Sequence, residues 1–200
     1  MKHFAFLLVL SALFCCKRSN ECRIEGQLPD RSFDDEFVFM VPFENATKEK
    51  VDSVPIINRR FIFHGPVRKN EIFIIRTRPL LRLQLQEILI AKEPGTIRIN
   101  FGRSSTVSGT SLNDSLQHWK NHKILFDQNM NELLLIARSA QTDDDRAIHQ
   151  QIDSLQYMTE DFHFNFIKNN RGNAVGDCIL KLMGSSFSPS LKEKLAAPNN

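Results

Sequence analysis

A single change of period divides this chain. Up to about residue 108 apolar side chains recur at every second position, as along half-buried strands; from Leu112 onward they recur every three or four, as along one face of a helix. No single sheet or bundle satisfies both periods, so the chain is constrained to an α+β architecture, a β-rich part followed by a helical part.

In the first part, Arg23 to Leu28 alternates, Pro29-Asp30 interrupts it, and Glu36 to Pro42 puts Phe37, Phe39 and Val41 on one face. Val51 to Ile57 and Arg60 to Val67 are expected as a hairpin with Asn58-Arg59 at its turn, closed by Gly65-Pro66. Asn70 to Arg78 and Leu83 to Ala91 supply two more strands, separated by Pro79, which has no N–H to give a ladder. Pro94 and Gly95 form a tight turn into Thr96 to Phe101, proline fixing φ and glycine tolerating φ > 0. These short strands, each bounded by turn residues, predict an antiparallel β-sandwich-like domain over residues 22–108.

The second part, residues 109–200, is expected to be helical and packed on the first. Ser111 and Asp114 fit a capping box, and Leu112, Leu116, Trp119, Phe126, Met130, Leu133 and Ala137 share one helical face behind it. Thr142 and Asp145 repeat the cap, with Asp143 and Asp144 where a helix N-terminus favours negative charge; Ile148, Ile152, Leu155, Phe162 and Phe166 then stripe a second helix. The pair predicts an antiparallel helical hairpin, broken at Gly172. Asn173 to Met183 reads as a third helix, and Ser188-Pro189 opens a fourth ending near Leu195.

The first residues carry an address. Lys2 precedes an apolar run from Phe4 to Phe14 that is too short to span a bilayer of about 30 Å as a helix, and it ends at Cys15-Cys16. Residues 1–16 therefore read as a signal peptide whose end resembles a lipoprotein box, with Cys16 the lipidated residue and 17–21 a polar tether. Lipidation would place the chain in the cell envelope, anchored to a membrane and facing the periplasm or the cell surface. A plain signal peptide is the other reading of the same residues. Cys22 and Cys178 remain; an oxidising compartment permits a disulfide, two separate buried thiols are the alternative, and no C-x-x-C spacing decides between them.

Chemistry-bearing constellations are sparse. His118 and His122 have the spacing of a two-histidine metal face but no H-E-x-x-H acid between them, and Asp143 to Asp145 lack the spacing and glycine of a calcium loop. Asp161 and His163, two apart, point to different faces of a helix. No nucleophile elbow, P-loop or dinucleotide-binding glycine pattern occurs, so no catalytic residue, metal or cofactor is expected. The formal net charge of +3 is too small to argue for nucleic acid. Within the β part, Arg59, Arg60, Arg68, Lys69, Arg76, Arg78 and Arg82 face only Glu71 on the acidic side. They are either a solvated face that discourages edge pairing or a patch for an anionic glycan or lipid headgroup.

Several short stretches in order resemble a known family: Asp52-Ser53, Phe61 to Gly65, Glu93 to Ile97, Val107 to Thr110 with Asn113-Asp114, and Phe166 to Asn170 with Asn173 and Gly176. They are similar to an N-terminal domain of unknown function in envelope lipoproteins of the Bacteroidetes, commonly followed by a thioredoxin-like domain. Over residues 22–180 the resemblance implies an accessory module rather than a catalyst. The thioredoxin-like part is expected to be missing, since the residues after Cys178 are far fewer than the roughly 100 that such a fold needs. Relatives carry Gly where Arg59 stands, so a left-handed turn there is expected to be strained or replaced. Two functions follow as expectations: a lipid-anchored, non-catalytic envelope module binding a partner protein or ligand, or a redox accessory, part of a split or truncated thiol-disulfide oxidoreductase, that uses Cys22 or Cys178.

Overall fold

A computed structural model describes residues 20–78, 86–139 and 145–196. Eight strands and four α-helices are found there: β1 (Glu21–Gln27), β2 (Phe37–Pro42), β3 (Asp52–Pro55), β4 (Arg60–Pro66), β5 (Glu71–Thr77), β6 (Glu87–Lys92), β7 (Gly95–Asn100), β8 (Thr106–Ser108), then α1 (Ser111–Ser139), α2 (Asp145–Asn169), α3 (Ala174–Met183) and α4 (Pro189–Ala196). The α+β reading holds. The leader with Cys16, Pro79, Arg82, the start of the expected strand at Leu83, and Thr142 to Asp144 lie outside the described residues.

The strands form two four-stranded sheets, β4-β1-β7-β8 and β3-β2-β5-β6. Between them lies a core of Ile24, Phe61, Phe63, Ile97 and Ile99 from the first sheet and Val38, Met40, Phe73, Ile75, Ile88 and Ile90 from the second. Where Gly26 crosses this core, an added Cβ would meet the Phe61 ring at 1.9 Å, so the absence of a side chain there makes room for the ring. The outer face of the second sheet carries the helices: Ile72 and Ala91 pack with Leu116, Trp119, Phe166, Val175, Cys178 and Ile179. The molecule thus has three layers at one end, sheet, sheet and helices.

Four expectations about the sheets need correction. The turn at Asn58-Arg59 forms, with φ of 51° and 63°, but the flanking strands do not make a hairpin. Beyond the Ile57–Arg60 bridge they part, β3 joining β2 and β4 joining β1 in the other sheet. Arg59 keeps its left-handed conformation because its N–H donates to Asp34 Oδ1 at 2.6 Å and its guanidinium to the Pro29 carbonyl at 3.2 Å. Pro94-Gly95 is likewise a corner between sheets, with Gly95 at φ 119°. The first sheet is not wholly antiparallel, since β1 runs parallel to β7. Finally the sheet reaches back into the expected tether: Glu21 lies in β1, and Asn20 exchanges hydrogen bonds with Val67, accepting from its N–H at 2.8 Å and donating from its side-chain amide to its carbonyl.

In β2 the face that turns inward is Val38 and Met40, while Phe37, Phe39 and Val41 look outward. Phe37 is 44% exposed and Phe39 and Val41 are half-buried, so the outer face of this strand is apolar but only partly covered.

The helical stripes fall where the periodicity puts them: Leu116, Trp119, Ile152 and Phe166 are buried, and Phe126, Met130, Leu133, Ile148 and Leu155 are half-buried. The start of α1 differs from the expected box. Gly109, at φ 101° and with the Thr96 carbonyl 2.5 Å from where a Cβ would stand, turns the chain out of β8. Asp114 then accepts from the Gly109 N–H at 2.9 Å, but the first helical amides, Leu112 at 2.7 Å and Asn113 at 3.3 Å, donate to Glu93 Oε1 from the sheet. Asn113 pairs with Ala91 through both halves of its amide, accepting from its N–H at 2.9 Å and donating to its carbonyl at 2.7 Å. Since β6 is an edge strand, Asn113 supplies the ladder partner that Ala91 otherwise lacks.

Candidate functional site

An open cleft of about 820 Å³ lies where the end of the second sheet meets α3. The loop after β2 contributes Glu44, Asn45 and Lys50, the β4–β5 connection contributes Arg68 and Lys69, and α3 contributes Asp177 and Lys181. Asn173 caps α3, accepting from Val175 N–H at 2.9 Å and Gly176 N–H at 3.0 Å, and so fixes the wall opposite the two loops. Gly176 sits against Asn170, whose carbonyl oxygen is 2.1 Å from a Cβ placed there, which holds that turn tight. Lys181 pairs with Glu44 across the cleft, and Lys50 donates to the Asn45 carbonyl at 3.3 Å. Arg68 and Lys69 stand exposed at the rim.

The structure divides the basic stretch read from the sequence. Arg68 and Lys69 precede β5, while Arg76 lies near its far end and Arg78 just past it, where Arg78 faces Glu36 at 4.0 Å. Seven residues of strand put the two groups about 20 Å apart. Arg59 and Arg60 belong with the distant group, at the β3–β4 corner. One patch therefore becomes two, and the pair at the cleft is joined by further cations, Lys50 and Lys181. Sequence reasoning missed those two, because nothing in their spacing signals a convergence that the topology creates.

Cys178 borders the cleft but is 2% exposed. Burial first, and the nearby Glu44 carboxylate second, push its thiol up to about 11, with Lys181 opposing. Cys22 is buried in the other apolar cluster, its pKa raised mainly by burial, and the two thiols are free rather than bridged.

Between α1 and α2, Trp119 Nε1 donates to His163 Nδ1 at 3.0 Å. His163 is 2% exposed, its Nε2 has no partner, and its pKa is pulled down to about 4, by burial first and by Lys123 second. His118 and His122 stack edge-on with centroids 4.6 Å apart, and His122 lies over Phe162 at 4.7 Å. They serve as aromatic packing, and among the described residues no group of three or more metal-ligating side chains converges. No helix among the described residues is long and apolar enough to cross a membrane.

Residues 22–116 match the model of a domain of unknown function, DUF4369. The matched stretch runs through every strand to the first turns of α1, so it includes Glu93 and Asn113, the residues that fasten the helix to the sheet. No curated protein and no solved structure matches the chain.

Proposed function

We propose that this chain is a lipid-anchored, non-catalytic module of the cell envelope that holds an anionic ligand in the cleft between the sheet end and α3. The carrying observation is the convergence of Lys50, Arg68 and Lys69 from separate loops on one open polar cavity. Glu44 neutralises Lys181, and Glu71 and Asp177 supply acceptors, so the lining suits a ligand bearing both carboxylates and hydroxyls, such as an acidic glycan. The tether supports the same reading. Asn20 is pinned to Val67, the residue before Arg68, so an acylated Cys16 four residues earlier would hold the cleft within about 15 Å of the membrane surface.

The deep burial of both thiols weighs against the redox accessory, because exchange needs an accessible thiolate of lowered pKa. Kinship with Bacteroidetes lipoproteins that carry a following thioredoxin-like domain would make this module the part that places such a catalyst, not the catalyst itself.

Two measurements test the proposal. Cys16→Ala should move the protein out of the membrane fraction or leave an unprocessed precursor; equal partitioning with no acyl group by mass spectrometry overturns the anchor. Titration with trigalacturonate should saturate in low salt, and Arg68→Ala with Lys69→Ala should weaken it about tenfold or more. No saturable binding, or binding that Arg59→Ala with Arg60→Ala reduces equally, overturns the cleft.

A further inference from the structure

A second cavity, of about 350 Å³, lies between α1 and the outer face of the β3-β2-β5-β6 sheet. Its walls are Phe43, Ile74, Leu89, Leu116 and Trp119, and Lys120 stands at its rim. The slot exists because α1 is held at the edge of the sheet by Asn113 and Glu93 and crosses only part of its outer face. Ile74 and Leu89, opposite each other in the β5–β6 ladder, are left half-covered below the helix.

The charges around the slot are not balanced. Glu87 has Arg76 directly across the ladder, so the pair offset each other on the same sheet face. Gln117 is occupied, accepting from the Val107 N–H at 2.8 Å and donating to Asn121 at 2.7 Å. Lys120 is half-buried; among the described residues it donates only to the Ser105 carbonyl and no carboxylate pairs with it. Its surroundings desolvate the ammonium and lower its pKa, a cost that an incoming carboxylate would offset.

We propose that this slot binds a free saturated carboxylic acid about ten carbons long, its alkyl chain along Ile74, Leu89, Leu116 and Trp119 and its carboxylate on Lys120. The length follows from the volume. At about 30 Å³ for each non-hydrogen atom, close to the share of a water molecule in the liquid, 350 Å³ takes about a dozen atoms, the size of decanoate.

Trp119 is the only tryptophan of the chain and lines the slot, so its emission reports occupancy directly. Decanoate added to the purified chain below its micelle concentration should shift that emission saturably and raise the melting temperature, while 1-decanol, equal in chain but uncharged, should bind about tenfold more weakly. Lys120→Gln should remove the preference for acid over alcohol, and Lys120→Arg should keep it. No saturable change with decanoate overturns the site. Equal affinity of wild type for the acid and the alcohol overturns the role of Lys120, whether or not the variants fold. Acetate serves as the control without a chain; a response to acetate equal to that to decanoate would make the contact a surface ion effect and sink the proposal.

Discussion

The two faces of the β3-β2-β5-β6 sheet are both apolar, yet they are closed in different ways. On the inner face Val38, Met40, Ile75 and Ile90 meet Ile24, Ile97 and Ile99 of the other sheet, with Thr77 at the end of β5 a buried polar side chain in phase with Ile75, its hydroxyl accepting from the Gln86 N–H at 3.3 Å. On the outer side Asn113 at 0% and Glu93 at 9% exposure are buried where α1 meets the sheet, and His163 at 2% is buried between α1 and α2. The cause is in the backbone. Two sheets stacked face to face satisfy their peptide groups within their own ladders, whereas a helix laid at a sheet edge brings its free N-terminal amides against the unpaired Ala91 of β6. Glu93 and Asn113 satisfy those groups, so the outer layer is fastened by a few polar bonds and the inner one by area.

The sharpest break in that comparison is to remove the outer layer. A 22–108 fragment should aggregate or stay unfolded, because Ile72, Leu89 and Ala91 lose their cover and Ala91 loses its ladder partner. Light scattering and circular dichroism check it; a soluble, monomeric fragment rich in β structure would mean the two sheets stand alone. Next come single residues. Ile97→Ala, at 0% exposure in the inner core, should cost about 2–5 kcal/mol. Asn113→Ala should cost about 2–4 kcal/mol by leaving the Ala91 N–H and carbonyl buried without partners. The two should differ in kind under denaturant: Asn113→Ala should change the Trp119 signal before the β signal, while Ile97→Ala should lower both together.

Acid offers a gentler way to load the outer, helical layer alone. His163 titrates near 4 when folded and at about 6.5 when unfolded, so between those values the unfolded chain binds the extra proton. Stability from this group is complete above about pH 6.5 and is lost as the pH falls toward 4, by on the order of 3 kcal/mol at the lower limit. Protonation would also cancel the Nδ1 acceptor that Trp119 uses, and it would add a cation where Lys123 already stands, with Asp127 the nearby acid. His163→Gln keeps an acceptor but no titration, so its stability should be flat over that window apart from the slope shared with wild type. Equal slopes in both proteins would show that the helical layer does not feel this proton.

How much of this was legible depended on range. Local signals survived: the change of period, the turn residues, the helical stripes and the starts of α3 and α4, at Asn173 and at Ser188-Pro189, are where the sequence puts them to within a residue. Long-range pairing did not, because the turn at Asn58-Arg59 specifies a reversal and not a partner; β3 and β4 separate into different sheets after one bridge. The same limit hid the cleft, whose Lys50, Arg68 and Lys181 lie far apart in the chain. It also hid Glu93, a carboxylate next to Pro94 that no spacing rule links to a helix beginning at Ser111. In β2 the alternation was readable but its direction was not, since Phe37, Phe39 and Val41 are as apolar as the Val38 and Met40 that turn inward.

The smallest expected effect lies farthest from both faces of the sheet. Past Phe126 the apolar residues of α1 are half-buried or exposed, and Leu135 is 64% exposed. A side chain already in water contributes little burial, so Leu135→Gln should change stability by no more than about 0.5 kcal/mol. That is several times less than an inner-core truncation, although leucine and isoleucine bury comparable area when covered. Chemical denaturation of the full chain measures it, and sedimentation at two concentrations supplies the control. A loss above about 1 kcal/mol, or a dissociation to smaller species in the variant, would show that Leu135 is covered in solution and that this arm is a third closed surface.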